Sequence, residues 1–99
     1  MTMKTLDSKM WHIMDATADD WESIEQIHPH VLKYHGTVSS NAIYAALKML
    51  HADGLIKVMD NTGSYTELFP NNPSNSWFTM TEKGRDLWNT ERGKYEEKG

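Results

Sequence analysis

The 99-residue chain contains no cysteine, which excludes disulfides, thiolate metal sites, iron–sulfur clusters and cysteine nucleophiles together. It has no apolar run near the ~20 residues of a membrane span, and Met1 to Leu6 lacks the long apolar core of a secretory signal. A cytoplasmic protein with no membrane contact is therefore expected. Proline is scarce, with three residues, two of them in the stretch Pro70 to Pro73. There is also no Gly-rich phosphate loop, no nucleophile elbow and no HExxH box, so neither an enzyme nor a cofactor is expected. Of the five histidines, His12, His28, His30, His35 and His51, the close pair His28 and His30 would point to different sides of a helix, and no metal site is read from that spacing.

The length suits one domain (residues 1–99) around one hydrophobic core, which four Trp, seven Met and 38% apolar residues can fill. The net charge of −4 is unevenly spread. Residues 1–35 hold three lysines against six carboxylates and residues 59–99 hold five basic residues against seven acidic ones. Only residues 36–58, with Lys48 and Lys57 against Asp53, are net positive. Such a chain has no long-range pull toward nucleic acid but can still present a local positive face.

Helical periodicity at Leu6, Met10, Ile13 and Met14 predicts a first helix over about 7–16. Ser23 and Gln26 form a capping-box pattern that starts a second helix over about 23–35, with a kink or split expected near Pro29 and an end at Gly36. A third helix over about 40–53, capped by Ser39 or Ser40, carries the stripe Ile43, Ala46, Leu47 and Leu50 and closes at Asp53 and Gly54. Leu55 to Met59 reads as a strand. A long connection rich in turn residues follows, with signals at Asn61 to Gly63 and Pro70 to Pro73, and Trp77 to Thr81 is the return strand of a hairpin over about 55–81. Thr81 then caps a last helix over about 82–96, with Leu87, Trp88 and Tyr95 on one side.

This order, together with two stretches, resembles the winged helix-turn-helix domain, in particular PadR-like and MarR-like bacterial transcription regulators. The stretches are Val38 to Ile56, with its Gly-Leu-Ile ending, and Phe78 to Gly84, which is similar to the family's aromatic, x, Leu, Thr, x, x, Gly pattern. The resemblance covers roughly residues 20–92. It implies an α+β, mainly α fold: a three-helix helix-turn-helix core, a two-stranded wing and a C-terminal helix. It further implies a transcriptional regulator that reads double-stranded DNA with its third helix, commonly as a homodimer. Ser39, Ser40, Asn41, Tyr44 and Lys48 fall on the recognition positions and Lys57 at the base of the wing.

Two features pull the other way. Between Lys57 and Lys83 there is no basic residue, and Asp60 and Glu67 stand where family wings carry cations that grip phosphates. The same segment carries Tyr65, Leu68 and Phe69, large apolar groups that either fold back on the hairpin or are offered to a partner. Trp88 and Tyr95, with Trp11, are either core residues or anchors between two copies. The rival expectation is an acidic protein-interaction module that does not bind DNA.

Overall fold

In the computed structural model, residues 7–18, 21–60, 62–70 and 75–95 are described, with side chains through Gly93. The first helix, α1 (Ser8–Ala16), begins where Asp7 Oδ1 accepts the otherwise orphaned Met10 N–H at 2.8 Å. Its inward face is Met10, Trp11, Ile13 and Met14. The second, α2 (Ile24–Tyr34), starts as expected with the Ser23 N–H donating to Gln26 Oε1 at 2.9 Å. Pro29 lies inside α2 without dividing it. The ring is exposed, and the carbonyl that loses its partner belongs to Glu25, an exposed residue, so the missing donor falls on the solvent side of the helix.

The third helix, α3 (Ser40–Ala52), is capped by Ser39, whose Oγ accepts from Ala42 N–H at 3.1 Å. It ends in a six-to-one bond from Leu55 N–H to the Leu50 carbonyl (2.9 Å), with Gly54 at φ 76°, a conformation that costs glycine nothing. The chain continues into β1 (Ile56–Met59), β2 (Tyr65–Thr66), β3 (Trp77–Met80) and α4 (Glu82–Tyr95). Ile43, Leu47 and Leu50 of α3 join Ile27, Val31, Leu55, Val58, Phe78 and the α1 face in one continuous core. Truncating any of them, Leu47 to alanine for instance, removes about 2–5 kcal/mol.

The architecture is α+β and mainly helical, with an antiparallel sheet ordered β2-β1-β3. The expected pairing of β1 with β3 is present, in the register Ile56 with Met80 and Val58 with Phe78. The expected two-stranded hairpin is corrected to three strands, because the connection doubles back on the other side of β1, pairing Met59 with Tyr65 and Val58 with Thr66. The reversal is built by Asp60, whose Oδ1 accepts from the Thr62 N–H (2.9 Å), the Thr62 hydroxyl (2.6 Å) and the Ser64 N–H (3.1 Å). These bonds, the hydroxyl's first, hold the Asp60 carboxyl below its ordinary pKa. Glu22, just ahead of α2, exchanges both backbone hydrogen bonds with Phe78 (2.9 and 2.8 Å) and so ties the helices to the sheet.

The start of α4 lies close against the Gly54–Leu55 turn that follows α3. Thr81 Oγ donates to the Gly54 carbonyl (2.6 Å) and accepts from the Gly84 N–H (3.0 Å), while the Thr81 N–H donates to the Leu55 carbonyl (3.1 Å). A Cβ on Gly84 would fall on that Leu55 carbonyl group and on Met14 Cε. Gly84→Ala is therefore expected to cost about 1–3 kcal/mol as an overpacked contact, because Met14 Cε can move aside but the Leu55 carbonyl is backbone and cannot. Thermal unfolding checks this, since such a loss lowers the midpoint of a domain this size by about 4–8 °C per kcal/mol; an unchanged midpoint would contradict it.

Candidate nucleic-acid interface

On α3 the buried stripe Ile43, Ala46, Leu47 and Leu50 fixes which side chains face away. Asn41, Tyr44 and Lys48 stand at i, i+3 and i+7, one stripe on the opposite side, with Ser40 beside them. Ser40, Asn41 and Lys48 are exposed, and among the described residues their side chains make no hydrogen bond or ion pair. From Ser40 to Lys48 the stripe runs about 12 Å along the helix. No carboxylate lies on α3. Tyr44 is half-buried against the core, so only part of it is available.

The other sequence-predicted residues are placed differently. Ser39 is spent on the helix cap. Lys57 projects from the outer side of β1, and its ammonium lies 5.6 Å from the Tyr65 ring and 6.0 Å from the Trp21 ring, over an aromatic pair whose centroids are 5.6 Å apart. The turn leading into α3 is positioned by His28, whose Nε2 bonds the Val38 carbonyl at 2.8 Å. At the far end Lys83 Nζ donates to the Asp53 carbonyl (2.9 Å).

The candidate protein-contact residues separate into two groups. Leu68 is 82% exposed and Tyr65 68% exposed. Phe69 folds back, stacking on Phe78 at 6.0 Å and meeting the His51 ring at 5.8 Å. Trp88 packs against the core, stacked on buried Trp11 at 6.1 Å with the Arg92 guanidinium 4.2 Å over its ring. The Tyr95 side chain lies outside the described residues.

One grouping was not read from the sequence. His12 and Asp15, one helical turn apart on α1, meet His30 of α2, with a donor atom from each all within 4.8 Å of one another. His30 Nε2 lies 3.0 Å from Asp15 Oδ2, and the Trp88 indole N–H donates to Asp15 Oδ1 at 3.1 Å. The i, i+3 spacing of His12 and Asp15 was the available signal, but the third member comes from another helix, and spacing along one segment cannot reveal it. His12 is only 6% exposed. Burial holds its pKa below the ordinary value of 6.5; Asp15 opposes this, and His30 and His35 add to it.

A scan of protein-family models, a search of curated proteins and a search of solved structures returned no significant match.

The depressed His12 pKa has a signed consequence. Below pH 6.5 the unfolded chain takes up a proton at this ring that the folded chain resists. This contribution to stability is complete above pH 6.5 and is lost as pH falls from 6.5 through the lower folded value. Urea midpoints measured with a chelator present should fall on acidification through this window, and His12→Gln should flatten the profile. Parallel profiles for the two proteins would refute the assignment.

Proposed function

We propose that this protein is a winged helix-turn-helix DNA-binding protein, a transcriptional regulator of the PadR-like or MarR-like kind, that inserts α3 into the major groove of duplex DNA. The observation that carries this reading is the Asn41, Tyr44 and Lys48 stripe: two exposed polar side chains and a half-buried tyrosine between them, on the outer side of a helix whose inner side is locked in the core. The fold order supports it, since α2 and α3 are joined by a short turn and followed by an antiparallel sheet and a further helix. In this arrangement the amide of Asn41 offers the donor and acceptor pair that matches adenine in the major groove. Ser40, at the positive end of the α3 dipole, and Lys48 two turns on hold phosphates. With so few cations per chain, pairing of two copies would double the phosphate contacts.

The test is fluorescence anisotropy on duplex DNA across a salt series. Affinity should rise as salt falls, with a slope of about 0.9 per phosphate neutralised. Lys48→Ala should reduce that slope by about one and weaken all sequences alike, and Asn41→Ala should cost about 1–3 kcal/mol on the preferred site and relax base preference there. Flat traces at low salt would refute the proposal.

One observation favours the second reading, a protein-binding module: Leu68 and Tyr65 stand out from a segment without cations. For that reading Leu68→Ser should abolish co-purification of a partner while leaving thermal stability unchanged, because the side chain contributes nothing to the core. Retention of the partner by Leu68→Ser would count against it.

A further inference from the structure

We propose that His12, Asp15 and His30 form a binding site for a divalent first-row transition ion at the junction of α1 and α2. This inference is independent of the DNA reading.

The donor set selects the ion class. Two imidazoles and one carboxylate suit Zn²⁺ and its neighbours, whereas Mg²⁺ and Ca²⁺ demand oxygen ligands. The geometry is close to what such an ion requires. With bonds of about 2.0 Å, donor atoms around a tetrahedral ion stand about 3.3 Å apart. The His30 to Asp15 edge is already 3.0 Å, and the whole set is contained within 4.8 Å. A modest ring rotation closes the remainder.

Two independent features indicate a built site in place of a simple ion pair. His12 is almost entirely buried, yet its Nδ1 has no hydrogen-bond partner. An uncompensated buried nitrogen is destabilising, and a structure that needed only an ion pair between Asp15 and His30 would gain by replacing His12 with an apolar residue. Asp15, in turn, is oriented from behind: the Trp88 indole N–H holds Oδ1 while Oδ2 faces His30. Trp88 is itself fixed by Trp11 Nε1, which donates to its carbonyl at 3.0 Å, and by Arg92 over the ring. A carboxylate held in this way on its far oxygen is the usual support for a metal ligand. Three protein ligands leave at least one coordination position for water or an external ligand.

The experiment uses the full chain without an affinity tag, stripped with a chelator and then dialysed. Calorimetric titration with ZnCl₂ should show one saturable equivalent. Titration with CoCl₂ should give the visible bands of a low-symmetry four- or five-coordinate site. His30→Gln and Asp15→Asn should each lower the affinity at least 100-fold, and Trp88→Phe should lower it about 10- to 100-fold through the lost support of Asp15. His28→Gln and His51→Gln should bind like the parent. Should buried His12→Ala fail to fold, half-exposed His30→Gln carries the test, with ring NMR signals reporting which imidazoles shift on adding Zn²⁺. Absence of one-to-one binding, binding unchanged in His30→Gln, or shifts at His28 and His51 in place of His12 and His30 would overturn the proposal.

Discussion

The chain depends on one close approach, that of α4 to the peptide between α3 and β1. With no side chain at position 84 the first turn of α4 rests on the Leu55 carbonyl, and Thr81 bonds to Gly54, to Leu55 and to the start of its own helix. This junction sets where the sheet leaves α3 and where α4 turns back to cover α1. The outward stripe of α3 and the histidine cluster between α1 and α2 are both positioned from it: Leu50 and Leu55 lock the first, and Trp88, carried by α4, braces the second. A small domain has little apolar area to spare, so a backbone contact with several hydrogen bonds gives it definition that burial alone would not.

The two ends of this junction are also the two stretches that stood out in the sequence. Gly54 and Leu55 close one, and Thr81 and Gly84 close the other, and the reason they belong together is that they touch. Helix limits were legible because their causes are local: Asp7, Ser23 with Gln26, Ser39 and Gly54 sit where caps must sit, and period-3.6 stripes lie between them. The strand β2 was not legible. Two residues within a turn-rich stretch carry no periodicity, and their pairing is decided by the Asp60 turn.

The α3 stripe could be read because a helix with a known inner side has a known outer one. What could not be read was competition for the same side chains. Ser39 spends its hydroxyl on the cap, and Lys57 lies over two rings contributed by distant segments. The i, i+3 spacing on α1 marks His12 and Asp15 as neighbours, but their meeting with His30 depends on how α1 packs on α2, a long-range property that spacing along one helix does not carry.

The sheet is also short of free margin. On one flank β2 offers only two residues, and on the other the outer side of Phe78 in β3 is already taken by Glu22. Exposed strand rims are the template on which chains add to one another and aggregate, and short or occupied rims are how natural proteins prevent it. A partner recruited by this protein would therefore have to meet side chains, because the backbone leaves little room for an added strand.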